Sequence, residues 1–240
     1  MTLNEKIAAL PQKSHYTFSD FIDLVEILRS EQGCPWDREQ NHQSIRKGLI
    51  EETYEVVEAI DNADPVLLRE ELGDLLLQIV FHAQIEREEG RFQMGDVIND
   101  ICKKMIHRHP HVFGSVHVEN SSEVLTNWEA IKTEEKQRNT LVDKLRAVPP
   151  MMPALMRASK VGKKAGEAVG EDPRTILSRM ETEIEQAKKA LEKGNFDAEA
   201  GVGSLLMRMT ELSRALEVDA EYALTCTTNA LIEQIAQKMT

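Results

Sequence analysis

Helical spacing of the apolar residues dominates this chain of 240 residues. Apolar side chains recur at i, i+3 and i+4 in long windows, aromatic residues are few, and strand signals are almost absent. The spacing predicts an all-α fold. Helices are expected near residues 18–31, 44–61, 66–88, 95–108 and 121–137 in the first half, and near 153–167, 175–192, 197–216 and 219–238 in the second.

A proline-containing segment divides the chain into two parts. Residues 138–153 read RNTLVDKLRAVPPMMP, and Pro149, Pro150 and Pro153 are incompatible with a continuous helix. We therefore expect an N-terminal domain over residues 1–138, a linker over 139–152 and a C-terminal domain over 153–240.

The two halves share an apolar pattern that indicates an internal duplication. Glu52-x-x-Glu55 followed by Gly73-Asp74-Leu75-Leu76 is echoed, at nearly the same interval, by Glu183-x-x-Gln186 followed by Gly203-Ser204-Leu205-Leu206. The echo predicts two tandem helical-bundle repeats, of which the second has lost most of the acidic residues.

Composition excludes several classes of protein. The formal net charge of -12 disfavours binding to a nucleic acid polymer. The 3 cysteines, Cys34, Cys102 and Cys226, form no CxxC pair and suggest neither a disulfide framework nor a zinc site. The sequence shows no signal-peptide core and no apolar run of about 18 residues, so we expect a cytoplasmic protein without a membrane anchor.

Two pairs of acidic residues are candidates for a functional site. Glu52 and Glu55 lie three residues apart on one helix face, at the edge of its apolar stripe. Glu71 and Asp74 repeat this spacing at the start of a segment, 71–85, that is apolar around most of its circumference, so both are expected to face inward.

Four carboxylates at one place need protons or cations to coexist at neutral pH. Each like-charge pair about 5 Å apart costs roughly 3 kcal/mol at an effective dielectric near 20. An all-carboxylate ligand set suits Mg²⁺, with Mn²⁺ as a substitute, whereas zinc prefers His or Cys. Di-iron bundles use Glu-x-x-His pairs, and neither acidic pair here has a His three residues further on.

Several segments in order resemble a known family. They are Gly33-Cys34-Pro35-Trp36-Asp37, Glu51-Glu52-Thr53-Tyr54-Glu55-Val56, Glu70-Glu71-Leu72-Gly73-Asp74-Leu75-Leu76, Arg108-His109-Pro110-His111-Val112-Phe113 and Trp128-Glu129-Ala130-Ile131-Lys132. Together they resemble the MazG-type branch of the all-α nucleoside triphosphate pyrophosphohydrolases, over most of residues 18–137.

The resemblance implies that Glu52, Glu55, Glu71 and Asp74 hold Mg²⁺. It further implies attack of water on the α-phosphorus of a nucleoside triphosphate, with release of the monophosphate and pyrophosphate, a reaction suited to house-cleaning of the nucleotide pool. Glu51, next to Glu52 but rotated by about 100°, is a candidate for orienting or deprotonating that water.

Phosphate and base contacts are implied in the same way. Lys104 and Arg108 match the basic phosphate ligands of the family and lie at i and i+4, which predicts one basic helix face. Trp128, with Lys132 one turn later, matches the aromatic residue that stacks on the nucleobase. Trp36 is a second stacking candidate, or else a loop residue packed in the core.

The second repeat departs from the pattern at each functional position. Gln186, Gly201 and Ser204 stand where the first repeat has Glu55, Glu71 and Asp74, so this half is expected to bind neither metal nor nucleotide. Packing or dimerisation is its expected role, and a homodimer is the expected assembly. The alternatives are a non-enzymatic helical oligomerisation or regulatory module with a structural ion, and a nucleotide sensor.

Overall fold

Helices form all the regular structure that is described. The computed structural model describes residues 1–135, 140–166 and 171–239, and within these ranges it contains α-helices, a short 3₁₀ helix at Leu10–Gln12 and no strand. The all-α prediction is confirmed. The α-helices are α1 (Leu3–Ala9), α2 (Phe18–Arg29), α3 (Pro35–Glu39), α4 (His42–Asp61), α5 (Pro65–Glu88), α6 (Met94–Arg108), α7 (Pro110–Phe113), α8 (Ser121–Glu135), α9 (Leu141–Arg146), α10 (Ala154–Ala165), α11 (Pro173–Glu192), α12 (Ala198–Ala215) and α13 (Ala220–Met239).

The long helices lie close to their predicted ranges, whereas several short ones were not predicted. Pro35 and Pro110 are the first residues of α3 and α7, where a missing N–H costs nothing, so these prolines begin helices as well as ending the preceding segments. α9 lies inside the predicted linker. The predicted helix ends at 137 and 167 and the predicted boundary at 138 fall outside the described residues.

The chain divides into two compact units, Met1–Trp128 and Glu129–Thr240. Across the described helices, none is long and apolar enough to cross a membrane. The predicted domain boundaries and the internal duplication stay predictions.

A helical hairpin forms the centre of the first unit. Asn41 caps the start of α4 by accepting hydrogen bonds from two backbone N–H groups, and Asp64 caps α5 in the same way, with Pro65 in the first turn. Between the helices Ala63 adopts a left-handed conformation with φ of 51°. This tight connection sets α4 and α5 side by side in opposite directions.

The core of the first unit lies at the C-terminal end of α5. The buried residues of this helix fall between Val80 and Ile85, and Val25 of α2 packs with them. Arg29 reinforces the cluster, because its guanidinium lies over the Phe81 ring, 5.2 Å from the centroid, and binds both carboxylate oxygens of Glu88. The N-terminal part of α5 lies outside this core.

A polar clamp joins the first turn of α4 to the last turns of α5. The Nδ1 atoms of His42 and His82 lie 2.7 Å apart, with the two rings stacked. His42 Nε2 lies 2.6 Å from a carboxylate oxygen of Glu86, which also accepts hydrogen bonds from Arg91. The hairpin is therefore fastened at its open end as well as at its turn.

The second unit is also built around a helical hairpin. Asp172 and Asp197 cap α11 and α12, and Ile176 and Thr210 are completely buried. α10 packs closely on α12 because Gly162 has no side chain: a Cβ there would lie 2.4 Å from the Arg214 guanidinium. Both hairpins thus begin at Asn or Asp caps and join long helices through short turns.

The clamp gives the first unit a pH-dependent stability. Hydrogen bonds from the Arg91 guanidinium, aided by His42, hold the pKa of the Glu86 carboxyl at about 2, below its ordinary value of 4.5. The folded state therefore resists protonation of Glu86, and the stability that Glu86 contributes is lost as the pH falls from about 4.5 to about 2.

We expect Glu86→Gln to lower the free energy of unfolding at pH 7 and to flatten its decline between pH 4.5 and 2. Glu89→Gln is the matched control, because this exposed carboxylate lies 3.6 Å from the same arginine and should contribute little. Urea unfolding followed by circular dichroism at several pH values measures both. Parallel pH profiles for wild type and Glu86→Gln would contradict the assignment.

Candidate functional site

The helical hairpin of the first unit brings together three of the four predicted metal ligands. Glu52 and Glu55 lie on α4 and Glu71 on α5, and one carboxylate oxygen from each lies within 4.8 Å of the others. Oxygens bound to one Mg²⁺ ion are separated by no more than about 4.2 Å, twice the usual Mg–O distance of about 2.1 Å. Small side-chain rotations therefore suffice to place these oxygens around one ion. We refer to Glu52, Glu55 and Glu71 as the carboxylate cluster.

Negative charge accumulates at the carboxylate cluster. Burial raises the pKa of Glu52, and a hydrogen bond with Glu55 and repulsion from Asp74 and Glu71 raise it further. The pKa of Glu71 is raised by burial and then by repulsion from Glu55 and Asp74. The charged form of the cluster is thus disfavoured by its own members, and a bound cation would relieve this repulsion.

Asp74 is close to the carboxylate cluster but is not part of it. The prediction that Asp74 faces the interior is wrong for the single chain: Asp74 is exposed, while Glu71 is half-buried. Leu72 and Ile79, on the same part of α5, remain 49% and 40% exposed. The fully buried residues of α5 begin at Val80, and before them only partly buried side chains such as Leu76 and Leu77 pack against the core, so this part of the helix is covered less completely.

Glu51, the predicted water-orienting residue, forms an ion pair with Lys47. Its carboxylate lies 2.8 Å from Lys47 Nζ, one turn earlier on α4, and the side chain is 54% exposed. The hydrogen bond that Lys47 donates to Glu51 raises the pKa of Lys47. Glu51 therefore lies beside the carboxylate cluster as half of a surface ion pair.

The predicted basic face on α6 is only partly present. Lys104 is exposed as expected, but Arg108 is only 6% exposed. The guanidinium of Arg108 lies over the ring of Trp128 on α8, 5.2 Å from the centroid. The prediction of one continuous basic face is corrected accordingly.

The remaining predicted residues lie on α8 and α3. Trp128, the last residue of the first unit, is half-buried and meets the His109 ring edge-on at 5.0 Å between centroids. Lys132 belongs to the second unit, where its Nζ lies 2.8 Å from a Glu129 carboxylate oxygen. Trp36 lies on α3 and is 65% exposed, which excludes the core-packing alternative.

The second unit has an arginine among its carboxylates. Arg208 Nε lies 2.8 Å from Glu183, and Arg208 Nη1 lies 2.7 Å from the buried Glu211. The Ser204 hydroxyl donates to the other oxygen of Glu183 at 3.1 Å. These contacts, led by Arg208, lower the pKa of Glu183, whereas the pKa of Glu52 is raised.

Two of these contacts are absent from the sequence predictions. Arg208 corresponds to Gln78 in the first half, which is not one of the predicted site residues, so a comparison of functional positions does not include it. The signal was present, since Arg208 lies one turn after Ser204, where the first half has Gln78 one turn after Asp74. The partnership of Arg108 and Trp128 left no comparable signal, because the two residues lie on different helices.

The ligands of the carboxylate cluster fit a hard divalent cation. All three residues offer carboxylate oxygens, and the pKa values of Glu52 and Glu71 are raised by burial and by their acidic neighbours. The class that this fold and site define is an all-α protein with a carboxylate cluster suited to a divalent metal.

Comparison with known proteins gives the family. The model of the MazG nucleotide pyrophosphohydrolase domain matches residues 40–113. The chain is 40% identical over 220 residues to the nucleoside triphosphate pyrophosphohydrolase/pyrophosphatase MazG of Thermotoga maritima, covering 90% of this chain and 83% of the relative. It is 44% identical over 210 residues to the nucleoside triphosphate pyrophosphohydrolase of Escherichia coli K12, covering 85% and 80%. The chain belongs to the MazG family.

Repulsion within the carboxylate cluster leads to a stability prediction. A carboxyl with a raised pKa binds its proton more tightly in the folded than in the unfolded state, so the folded state loses stability as the pH rises above 4.5. We expect metal-free Glu52→Gln to be at least as stable as wild type at pH 7, with the difference shrinking toward pH 4.

Thermal unfolding in EDTA measures this difference. Glu51→Gln is the control, because it removes a neighbouring carboxylate that is paired with Lys47 and should change stability by no more than about 0.5 kcal/mol. A clear loss of stability in Glu52→Gln at pH 7 would show that Glu52 is held by favourable contacts and would argue against the repulsion.

Proposed function

We propose that the protein hydrolyses nucleoside triphosphates, ribo- or deoxyribo-, to the monophosphate and pyrophosphate in a Mg²⁺-dependent reaction. One observation carries the proposal: the carboxylate cluster lies on the central hairpin, inside the segment that matches the MazG domain. The names of the Thermotoga maritima and Escherichia coli relatives support the choice of reaction. The proposed cellular role is house-cleaning of the nucleotide pool.

The carboxylate cluster, joined by Asp74, is the proposed metal site. Glu52, Glu55 and Glu71 supply oxygens that already converge, and Asp74 is near enough to raise the pKa of both Glu52 and Glu71. When bound, Mg²⁺ would supply positive charge that offsets both the carboxylates and the phosphate oxygens of the substrate. Mn²⁺ has similar ligand preferences and is the proposed substitute.

The protein's own residues would bind the substrate and handle the proton. Lys104 offers an exposed ammonium group and Arg108 a guanidinium, and both are proposed to bind phosphate oxygens. Glu51 is proposed to orient the attacking water and accept its proton. Its carboxylate lies on α4 one residue before Glu52, and 2.8 Å from Lys47 Nζ.

A homodimer is proposed because the catalytic hairpin carries uncovered apolar side chains. Tyr54, Val57 and Ile60 on α4, with Leu72 and Ile79 on α5, are all exposed in the single chain. A second copy covering this surface would also bring Asp74 out of solvent. Exposed apolar patches of this kind are typical of interaction surfaces.

Metal binding can be tested without turnover. Mg²⁺ or Mn²⁺ should raise the melting temperature, because a ligand that binds only the folded state at a hundredfold excess over its Kd stabilises that state by about 2.7 kcal/mol. The shift should disappear in Glu52→Gln and persist in Glu183→Gln. Ca²⁺ is expected to stabilise without supporting turnover. An unchanged wild-type melting curve at saturating Mg²⁺ would count against the metal site.

Turnover gives the direct test of the reaction. Wild type should release pyrophosphate, and no orthophosphate, from at least one member of a panel of nucleoside triphosphates with Mg²⁺. Glu52→Gln should lose activity by orders of magnitude. Glu183→Gln should remain within about twofold of wild type, because a single carboxylate cannot hold Mg²⁺ against its hydration shell.

Three outcomes would contradict the proposal in different ways. Orthophosphate as the product would mean a different bond is cleaved. Nucleotide binding without any turnover would indicate a sensor. An inactive Glu183→Gln with an active Glu52→Gln would place the reaction in the second unit.

A further inference from the structure

The clamp between α4 and α5 contains two histidines that face each other through like atoms. The Nδ1 atoms of His42 and His82 lie 2.7 Å apart, which is a hydrogen-bond distance, so one nitrogen donates a proton and the other accepts it. An imidazole nitrogen that carries a hydrogen cannot accept, and a bare one cannot donate. The contact therefore holds one proton between the two rings. We refer to His42 and His82 as the histidine pair.

Glu86 determines which nitrogen carries that proton. Hydrogen bonds, first from Arg91 and then from His42, hold the pKa of the Glu86 carboxyl at about 2, so at neutral pH it is a carboxylate that only accepts. His42 Nε2, 2.6 Å from Glu86, must then carry a hydrogen. A neutral imidazole has a single N–H, so His42 Nδ1 is bare and His82 Nδ1 donates to it.

The histidine pair can accept one further proton and keep its bridge, but it cannot accept two. A first proton can enter at His82 Nε2, which leaves the Nδ1–H···Nδ1 hydrogen bond in place. A second proton has to enter at His42 Nδ1, and both facing nitrogens then carry hydrogens at a separation of 2.7 Å. The hydrogen bond is lost and two imidazolium cations are in contact, so the rings must separate.

The charged groups around the histidine pair do not offset a second cation. They are Glu86 and Glu88 on α5, Arg91 after α5, Arg29 on α2, Asp37 on α3 and Arg46 on α4. Within the part of the chain that the structure describes, Glu86 is the carboxylate in contact with the pair, and Arg91 shares it. Arg29 binds Glu88 and the carbonyl oxygen of Gln40, so it brings further positive charge to this end of α4. Burial and the neighbouring His42 both lower the pKa of His82.

We propose that the histidine pair is an acid-sensitive latch, whose double protonation breaks the bridge between α4 and α5 and frees the first turns of α4. An imidazole in the unfolded chain titrates near pH 6.5, whereas the folded pair resists its last proton. The folded state therefore loses stability as the pH falls below about 6.5. This range lies above pH 4.5, below which Glu86 begins to lose its contribution. The latch requires neither metal nor nucleotide and goes beyond the proposed function.

Amide hydrogen exchange locates the opening along α4. With rates expressed as protection factors, which correct for the intrinsic effect of pH, we expect protection of residues 43–48 to fall by about tenfold between pH 7 and 5 in wild type. Residues 56–61, next to the capped turn, should keep theirs. In His82→Asn the fall should be less than about twofold, because the amide N–H can replace the Nδ1–H donor but takes no further proton. His15→Asn is the matched control, since it removes an exposed histidine of the same unit, and it should behave as wild type.

Nuclear magnetic resonance titration of wild type tests the latch without any substitution. The histidine pair should accept its protons in two steps separated by more than about one pH unit, because the first proton hinders the second. His42→Asn should leave a single step for His82. This measurement decides the question by itself if His82→Asn does not fold.

The latch is overturned if both histidines titrate in one step near pH 6.5 while residues 43–48 keep their protection. It is also overturned if protection of these residues falls equally in wild type and His82→Asn. Failure of the proposed function is a separate result, since it appears as wild type that releases no pyrophosphate from any nucleoside triphosphate at neutral pH.

Discussion

Mutual repulsion among carboxylates on the α4–α5 hairpin is the constraint on which the candidate site of this protein depends. Glu52, Glu55 and Glu71 converge, and the pKa values of Glu52 and Glu71 are raised by burial and by their acidic neighbours. Such an arrangement is unfavourable for an isolated hairpin. The fold tolerates it because the helices are fixed beyond it on both sides, by the Asp64-capped turn and by the His42 clamp.

The same constraint explains how stability and function are separated along α5. Its C-terminal part, from Val80 to Ile85, lies in the core and anchors the helix. Its N-terminal part carries Glu71 and Asp74 in a setting that water can still reach. A single helix thereby holds acidic groups in register while leaving them accessible to an ion and a substrate.

Helical periodicity made most of the fold predictable, because long amphipathic segments such as α2, α4 and α6 have one apolar face and clear ends. Short helices were missed where proline appeared to be only a break, as at Pro35 and Pro110. The acidic spacing correctly brought Glu52, Glu55 and Glu71 together. Burial was misjudged at Asp74 and Arg108, since periodicity gives the faces of a helix but does not say what covers each face.

Arg208 affects which amino-acid substitutions the second unit can accept during evolution. Its guanidinium binds Glu183 and Glu211 together, and Arg179 also binds Glu211, so these two acids already have compensating positive charge without any ion. New carboxylates at Gly201 and Ser204 would meet an arginine occupying the position between the helices. Removing Arg208 first would leave Glu211 buried with less compensating charge, a substantial loss of stability. The order of substitutions therefore matters, and Arg208 opposes the gain of a metal site in this half of the chain by single substitutions.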